Sequence, residues 1–281
     1  MIVVDGVAEL RVQLERTRAA GQRSGLVPTM GYLHEGHLSL VDVVRRKADF
    51  TVASIFVNPL QFGPNEDLDR YPRDLARDRQ LLEERGVDLL FTPAADVLYP
   101  QGPPATRVSA PFLSDRLDGL YRPGHFEGVL TVVAKLFNLV QPHVAVFGQK
   151  DLQQAALVRR MVRDLDYDIE IIVAPIVREP DGLAMSSRNA YLDKQQRLAA
   201  LALNRSLRAA QQLFAAGEHD AAVLLAAARA VLDTDPDVRA QYVELVDPDT
   251  LEPRAHARRG DAIAVAAFVG KTRLIDNHLL D

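Results

Sequence analysis

Short apolar runs alternate with amphipathic segments over the first 175 residues of this 281-residue chain. The clearest run, Phe50–Val57, is apolar on both faces and rich in β-branched residues, as buried parallel strands are. Further strands are predicted at Gly25–Val27, Val87–Thr92, His143–Phe147 and Ile169–Ala174, and helices at Val7–Ala20, His37–Ala48, Asp74–Arg85, Val129–Val140 and Leu152–Leu165. This alternation favours a parallel sheet covered by crossover helices.

The pattern changes after Pro175. A turn-rich stretch is followed by helical segments at Lys194–Ala216 and Asp220–Leu232, and then by strand-like runs at Gln241–Val246, Ala262–Val269 and Thr272–Ile275. Such an order is typical of a small α+β unit with an antiparallel sheet. We therefore predict an α/β protein with two domains: a Rossmann-like doubly wound domain at 1–176 and a smaller C-terminal α+β lid domain at 177–281. The proline-rich stretch Pro100–Pro111 is predicted to be an irregular surface connection.

Composition excludes several classes of protein. Hydrophobic residues make up 48% and charged residues 25% of the chain, which does not fit global disorder. The chain has no cysteine, so disulfides, thiolate metal sites and cysteine nucleophiles are excluded. The net charge of −5 argues against a protein that binds nucleic acid phosphates.

The apolar runs are too short for a membrane protein. The longest, Ala221–Ala228 and Ala262–Val269, fall far short of the roughly 20 residues that span a bilayer. The segment that begins Met1-Ile-Val-Val meets Asp5 at once and has no pattern of a secretory signal. We expect no membrane partner and a cytoplasmic location.

Unusual polar stretches follow the predicted strands. They are Pro28–His37, Asn58–Phe62, Gly148–Gln154 and Met185–Arg188. Ligands of open parallel sheets bind beyond the carboxyl ends of the strands, so we expect these stretches to converge on one edge.

His34 and His37 are three residues apart at the start of a predicted helix. Both rings can share a side next to the unpaired N–H groups of that terminus, which suits a polyphosphate, and Gly31 and Gly36 allow close approach. Two histidines that cap a surface helix are an equally simple explanation. A zinc site is a further alternative, although His34-Glu-Gly-His37 lacks the four-residue spacing of metalloproteases. The chain has neither a G-x-G dinucleotide fingerprint nor a P-loop.

The other polar stretches supply complementary groups. Lys150 can act as a point charge on phosphate oxygens, and Ser186, Ser187 and Arg188 add hydroxyl and guanidinium donors. The neutral side chains of Gln61 and Gln154 suit hydroxyls or a carboxylate better than proton transfer. Taken singly, each of these residues is more often an ordinary surface or structural residue.

Together these motifs resemble those of the pantoate–β-alanine ligase family. The motifs are Pro28-Thr-Met-Gly-Tyr-Leu-His-Glu-Gly-His37, Phe56-Val-Asn-Pro-Leu-Gln-Phe62, Gly148-Gln-Lys-Asp151 and Met185-Ser-Ser-Arg-Asn189, and they occur in the family's order over essentially the whole chain. The first is this family's version of the "HIGH" signature of nucleotidyltransferases, and Met185-Ser-Ser-Arg188 stands where class I aminoacyl-tRNA synthetases carry "KMSKS".

The resemblance implies a two-step ligation. The carboxylate of (R)-pantoate would attack the α-phosphorus of ATP to give pantoyl adenylate and pyrophosphate, and the amine of β-alanine would then displace AMP. It also implies Mg²⁺ with the ATP, a homodimer and no nucleic acid partner. Asp78 is a candidate residue on the magnesium side, and the metal ligands are otherwise unassigned.

The resemblance further implies roles for single residues. His37 would donate a proton, with His34, Lys150, Ser186, Ser187 and Arg188 as its catalytic partners. The implied ATP-binding residues are Met30, Gly31, Tyr32, Leu33, His34, Glu35, Gly36, His37, Gly148, Gln149, Lys150, Asp151, Val177, Met185, Ser186, Ser187 and Arg188. Gln61 and Gln154 would bind pantoate, and Gln61 and Asn58 would lie near β-alanine.

The chain departs from the family pattern at Gln149, where glutamate is common, and its serine motif lacks the lysines of the synthetases. Another nucleotidyltransferase with a different acceptor, or a nucleotide sensor without turnover, remains an alternative; an aminoacyl-tRNA synthetase is disfavoured because no anticodon-binding domain is visible. We also expect the segment Met185–Arg188 to move onto the phosphates when ATP binds.

Overall fold

The computed structural model describes residues 1–64 and 66–281, and a parallel sheet forms the centre of its N-terminal part. In chain order its strands are β1 (Ile2–Val4), β2 (Ser24–Thr29), β3 (Phe50–Ile55), β4 (Leu89–Phe91), β5 (Val144–Gly148) and β6 (Glu170–Ala174). Their spatial order is β1-β4-β3-β2-β5-β6, and neighbouring strands are parallel. The predicted doubly wound parallel sheet is confirmed.

Strand β2 lies where the winding reverses. It pairs with β3 on one side, with Gly25 opposite Thr51, and with β5 on the other, with Gly25 opposite Val144. The chain runs outward from β2 through β3 to β4, and later returns to the opposite side of β2 as β5. In such sheets the ligand crevice lies at the carboxyl ends of the two strands that flank this point.

Helices connect the strands. They are α1 (Val7–Ala19), α2 (Glu35–Arg45), α3 (Leu75–Glu84), α4 (Ala95–Leu98), α5 (Pro111–Ser114), α6 (Leu117–Tyr121), α7 (His125–Val140) and α8 (Leu152–Asp164), with a 3₁₀ helix at Pro59–Gln61. Helix α7 begins before its predicted start at Val129, because Gly124 adopts a φ of 80° and caps it. Strand β1 was not predicted, since two of its three residues are exposed and give no apolar run.

The C-terminal part combines helices with an antiparallel sheet. It contains a 3₁₀ helix at Ser187–Tyr191, helices α9 (Lys194–Ala215) and α10 (Ala221–Leu232), and strands β7 (Val238–Val246), β8 (Ala262–Val269) and β9 (Thr272–Leu279), in the order β7-β8-β9. The predicted smaller α+β part is confirmed. Strand β9 continues beyond its predicted end at Ile275, because the polar residues Asp276 and Asn277 are buried within it.

The chain divides into two compact units. The first unit comprises Met1–Asp115, Gly119–Gly148 and Leu157–Ala174, and the second comprises Arg116–Asp118, Gln149–Ala156 and Pro175–Asp281. The core of the first unit includes Val27, Leu38, Val41, Leu90 and Val146. The core of the second includes Leu203, Leu207, Leu224, Val243 and Val265. The predicted boundary between residues 176 and 177 stays a prediction.

Within residues 1–64 and 66–281, no helix is both long enough and apolar enough to cross a membrane.

The packing of α2 on β2 yields a stability prediction. A Cβ added at Gly25 would lie 2.2 Å from Cγ2 of Val44 and 3.1 Å from Cγ1 of Val144. Both valines are fully buried, so neither can move aside freely. We expect Gly25→Ala to lower the free energy of unfolding by about 1–3 kcal/mol, the usual cost of overpacking. Urea denaturation measures this change. Gly63→Ala is the control, because its Cβ would meet the nearest atom at 3.7 Å; equal losses in both variants would contradict the packing argument.

Candidate active site

The buried carboxylate of Asp78 holds the loop that follows β2. Its Oδ2 accepts the N–H of Tyr32 at 2.6 Å, and its Oδ1 accepts the N–H of Leu33 at 2.7 Å. Gly31 and Tyr32 have φ values of 82° and 50°, so this turn is left-handed at two consecutive residues. A non-glycine residue seldom adopts that conformation without support. Asp78 therefore fixes the path of the chain into α2.

The environment of Asp78 suits an anchor for the backbone. The residue is 1% exposed, and Arg77 lies 3.8 Å from its Oδ1. Burial raises the pKa of Asp78, while the two backbone hydrogen bonds and Arg77 act in the opposite direction. Since each carboxylate oxygen already accepts a backbone N–H, the geometry gives Asp78 a role in holding the loop and does not supply evidence for its predicted role near magnesium.

His34 and His37 lie together at the N-terminus of α2. Their ring centroids are 4.1 Å apart, and the backbone N–H of His34 donates to Nδ1 of His37 at 3.4 Å. An Nδ1 that accepts a hydrogen bond leaves the hydrogen of the neutral ring on Nε2. His37 is thus set up to present an N–H from Nε2, at a helix end whose dipole favours anions.

The remaining side chains of this loop differ in their surroundings. Leu33 is 1% exposed and belongs to the core, so only its backbone is available to a ligand. Oε2 of Glu35 accepts a hydrogen bond from Arg85 at 2.6 Å, and Arg85 also donates to Asp42. The Glu35 side chain therefore takes part in an ion pair on the outer side of the helix. These contacts favour backbone roles for Leu33 and Glu35 at any nucleotide site.

Asn58 is buried, and its carboxamide is fully hydrogen-bonded. Its Nδ2 donates to Oε1 of Gln61 and to the carbonyl of Gly128, both at 3.1 Å. Its Oδ1 accepts from the N–H of Leu60 at 3.2 Å and from the hydroxyl of Tyr99 at 2.9 Å. Burial raises the pKa of Tyr99 to about 12, which keeps this hydroxyl protonated. Both donors and both acceptor positions of Asn58 are thereby used within the protein.

Gln61 is brought to the loop after β2 by this network. Its Oε1 accepts from Asn58, and its Nε2 contacts Sδ of Met30 at 3.0 Å. A Cβ on Gly128 would lie 2.2 Å from the carbonyl oxygen of Leu60, so only glycine lets the 3₁₀ turn pack this closely on α7. The first unit thus places the predicted residues Met30, Asn58 and Gln61 in one contact network.

Three charged or titratable residues that sequence reasoning missed support the backbone of Gln61. Nδ1 of His125 lies 2.7 Å from the carbonyl oxygen of Gln61, and Nε2 of His125 lies 2.9 Å from Nη1 of Arg122. Arg122 also donates to both carboxylate oxygens of Glu66 at 2.7 Å. Arginine can only donate, so Nε2 of His125 accepts and Nδ1–H donates to Gln61. The available signal was His125 directly after Gly124 at a helix start.

In the second unit, Lys150 lies in the short connection between β5 and α8. The carbonyl oxygens of Gln149 and Lys150 accept hydrogen bonds from Nδ2 of Asn277 at 2.9 and 3.1 Å. The carbonyl of Asp151 accepts the N–H of Ala155 and so begins α8. Sequence reasoning did not identify Asn277, which lies in a strand far away along the chain.

Gln154 is half-buried in the first turn of α8. Its neighbour Gln153 is 3% exposed and donates to the carbonyl of Arg116 at 2.8 Å. The two glutamines therefore have different surroundings. The contacts of Gln153 are internal, whereas Gln154 is partly open to solvent.

Residues 177–185 form a tight hairpin that brings Val177 to the serine motif. The N–H of Met185 donates to the carbonyl of Val177 at 3.0 Å, and Gly182 makes the turn with a φ of 97°. The hairpin leads into the 3₁₀ helix at Ser187–Tyr191, whose N-cap is Ser186: its Oγ accepts the N–H of Arg188 at 3.3 Å. The structure therefore unites Val177 with Met185–Arg188 and gives Ser186 a capping role as well.

Comparisons with known proteins agree with this arrangement. A model of the pantoate-beta-alanine ligase family matches residues 2–279. A pantothenate synthetase of Thermoanaerobacter sp. (strain X514) is 53% identical over 279 residues, which cover 99% of this chain and 98% of that protein. The crystal structure of pantothenate synthetase from Thermus thermophilus has a TM-score of 0.95 at 50% identity and covers 100% of this chain and 99% of its own.

A second solved structure resembles the chain over nearly its full length. It is a pantoate-beta-alanine ligase from Francisella tularensis, complexed with beta-gamma ATP and beta-alanine. Its TM-score is 0.81 at 34% identity, and the match covers 99% of this chain and 97% of that one.

Asp78→Asn tests the anchor of the loop after β2. The amide keeps one acceptor but turns an NH₂ toward the second backbone N–H, so one buried donor loses its partner. We expect a loss of about 1–3 kcal/mol in the free energy of unfolding, the cost of an unsatisfied buried group. Chemical denaturation measures it. Asp69→Asn makes the same change on an exposed side chain and is the control; a similar loss there would refute the assignment.

The Glu66–Arg122 pair predicts a pH dependence of stability. Burial opposes ionisation of Glu66, but the hydrogen bonds and charge of Arg122 lower its pKa below the ordinary 4.5. A carboxyl group with a lowered folded-state pKa contributes stability above its unfolded-state pKa and loses it as the pH falls through the folded-state value. Between about pH 6 and about pH 4, wild type should therefore lose more stability than Glu66→Gln does.

Urea unfolding at both pH values provides the measurement. Glu15→Gln removes an exposed carboxylate instead and should keep the wild-type dependence. An identical pH profile for Glu66→Gln and wild type would rule out this contribution of the pair.

Proposed function

Because the chain belongs to the pantoate–β-alanine ligase family, we propose that it condenses (R)-pantoate with β-alanine to pantothenate through a pantoyl-adenylate intermediate. The reaction would consume ATP and release AMP and pyrophosphate. The observation that carries this proposal is the length of the family match, which runs from residue 2 to residue 279 and so includes every polar motif described above. The Francisella tularensis relative in complex with a form of ATP and β-alanine adds support for these two substrates.

In the first step, a carboxylate oxygen of pantoate attacks the α-phosphorus of ATP. A new oxygen–phosphorus bond forms, the bond to the bridging oxygen breaks, and pyrophosphate leaves with the electron pair. Negative charge grows on the phosphate oxygens during this step, so donors already in place lower the barrier. Proximity adds to this effect because the two reactants are held together.

The proposed donors come from the loops described above. His34 and His37 lie at the N-terminus of α2, where N–H groups and the helix dipole favour a phosphate. We assign phosphate contacts also to Lys150, Ser186, Ser187 and Arg188. Backbone contacts with the nucleotide are assigned to the rest of the segments 30–37, 148–151 and 185–188 and to Val177. The neutral tautomer of His37, with its hydrogen on Nε2, supports its role as proton donor.

In the second step, the neutral amine of β-alanine attacks the acyl carbon of the adenylate. The amide bond forms, the acyl–oxygen bond breaks, and AMP leaves with that electron pair while the amine loses a proton to solvent. No covalent bond to the protein is needed. The protein's contribution to this step is therefore to orient the amine and to exclude water from the reactive acyl group.

Gln61 and Gln154 are proposed to bind pantoate. Gln61 is 8% exposed and contacts Met30, so its carboxamide is held beside the loop after β2. Asn58 was predicted to lie near β-alanine together with Gln61. Because all its hydrogen-bonding positions are used within the protein, we assign Asn58 to the orientation of Gln61, which then contacts β-alanine as well.

Mg²⁺ is proposed to accompany ATP. Over residues 1–64 and 66–281, no group of three or more histidine or acidic side chains is arranged to hold a metal ion. Mg²⁺ at nucleotide sites is held largely by phosphate oxygens and water, with one or two carboxylates at most. The residues present therefore fit an ion bound mainly through ATP, where it would neutralise charge on the phosphates.

One assay tests the proposed function. The purified protein is incubated with ATP, Mg²⁺, pantoate and β-alanine, and AMP and pantothenate are measured, with each substrate omitted in turn. AMP formation that requires both pantoate and β-alanine supports the ligase. Pyrophosphate release with other carboxylic acids but not with pantoate would favour a different adenylating enzyme. Binding of ATP without turnover under any condition would favour a nucleotide sensor.

His37→Ala and Lys150→Ala should each slow adenylate formation and leave the fold intact. Loss of one donor to developing charge typically costs about 10²–10³-fold in rate, or ~2.7–4 kcal/mol. Pantoate-dependent exchange of pyrophosphate into ATP isolates this step. His256→Ala and Lys271→Ala make the same changes at exposed positions and should exchange at the wild-type rate. Near-wild-type exchange in either test variant would remove that residue from the catalytic set.

A further inference from the structure

Asn277 is a buried polar residue in β9 that the proposed mechanism does not use. It is 2% exposed, and it pairs with Ala264 of the central strand β8. Its side chain leaves the sheet region and bonds to the connection between β5 and α8. Nδ2 donates to the carbonyl oxygens of Gln149 and Lys150 at 2.9 and 3.1 Å, and Oδ1 accepts from Nε2 of Gln149 at 3.2 Å.

This pattern requires a carboxamide. Two carbonyl oxygens need two donors from one small group, and the side chain of Gln149 needs an acceptor on the same group. Asparagine supplies both, whereas aspartate has the same shape but only accepts. A carboxylate at this position would face two carbonyl oxygens in a buried place, which is unfavourable. The contacts therefore depend on the chemistry of the residue and not only on its volume.

The backbone of Asn277 is held as firmly as its side chain. Its N–H donates to Oδ1 of Asp276 at 2.8 Å, and its carbonyl accepts from Nη2 of Arg178 at 3.4 Å. Arg178 in turn makes two hydrogen bonds to the carboxylate of Asp276, at 2.6 and 2.9 Å. Arg178 follows Val177 and lies in the hairpin that leads to the serine motif.

Strand β9 therefore contacts all the nucleotide-binding segments proposed for the second unit. Asn277 holds residues 149 and 150, Asp276 holds the hairpin through Arg178, and β9 packs against the 3₁₀ helix Ser187–Tyr191. Asp276 is 3% exposed, so this ion pair is shielded from water. A rigid strand of the central fold thus sets the positions of short connecting segments.

We propose that Asn277 is a positioning residue: its carboxamide fixes the backbone of Gln149 and Lys150 so that the Lys150 ammonium meets the phosphates of ATP during adenylate formation. This inference rests on the proposed function, because it assigns Asn277 to the same reaction. Lys150 carries its charge on a flexible four-carbon chain, so the backbone beneath it must be fixed for the charge to be placed accurately. Asn277 itself touches no substrate in this account.

A double-mutant cycle in the full-length protein tests the proposal. The variants are Asn277→Asp, Lys150→Ala and the two combined, and the measurement is pantoate-dependent pyrophosphate exchange. Asn277→Asp alone should slow exchange about 10²-fold, the loss that a misplacement of about 1 Å can cause. In the Lys150→Ala background the same substitution should cause little further loss, because the group that Asn277 positions is already absent.

Two controls separate positioning from general damage. Asn138→Asp introduces the same charge at an exposed position of α7, and Leu274→Ala removes core packing from β9 without touching Gln149 or Lys150. Leu274→Ala should lower the melting temperature, and both controls should exchange at the wild-type rate at temperatures where they are folded. If Leu274→Ala slows exchange as much as Asn277→Asp does, a loss of stability explains the effect and the proposal is overturned.

The remaining outcomes are also decisive. Equal losses from Asn277→Asp with and without Lys150, or no loss at all, overturn the proposal. Asn277→Ser provides a smaller neutral change; if neither Asn277 variant folds, the residue serves stability alone and the proposal is likewise overturned. If Lys150→Ala exchanges normally, the role of Lys150 fails and the role of Asn277 fails with it. Failure of the ligase function itself is recognised separately, because wild type would then form no AMP that depends on pantoate and β-alanine.

Discussion

The two hydrogen bonds from Tyr32 and Leu33 to the buried carboxylate of Asp78 hold the segment on which the first unit's site depends. Burying a charged group is costly unless it is hydrogen-bonded, and here the bonds also stabilise a left-handed turn at Gly31 and Tyr32. The turn sets where α2 begins. Since His34 and His37 occupy that helix end, the placement of both rings follows from Asp78, a residue of another helix.

Both units use a buried asparagine for the same physical purpose. Asn58 holds the side chain of Gln61 and the carbonyl of Gly128, and Asn277 holds the carbonyls of Gln149 and Lys150. A carboxamide can join several backbone and side-chain groups without bringing a charge into the interior. Such contacts order connecting segments that have few apolar side chains of their own. A fully satisfied polar network also disfavours alternative arrangements, because each of them would leave a buried group unpaired.

This economy fits the proposed chemistry. Adenylate formation needs no covalent bond to the protein, so the protein acts by placing donors around charge that develops on phosphate. The donors proposed for that task lie on connections and helix ends, whereas the residues that hold them are buried in strands and helices. Asp78 and Asn277 are each at most 2% exposed. Rigid elements thus determine where the reactive side chains lie, and the connections carry the chemistry.

The sequence by itself determined the α/β class, the larger elements and the motifs after the strands, because periodicity and motif spacing are local properties of the chain. It also pointed to His34, His37, Lys150 and the serine motif. It did not reveal β1, the early start of α7, or the support of Gln61 by His125. Only the tertiary structure paired Asp78 with Tyr32 and Asn277 with Gln149, across 46 and 128 residues of chain. Hydrogen bonds between such distant residues leave no periodic signal, since their partners meet only after the strands and helices have packed.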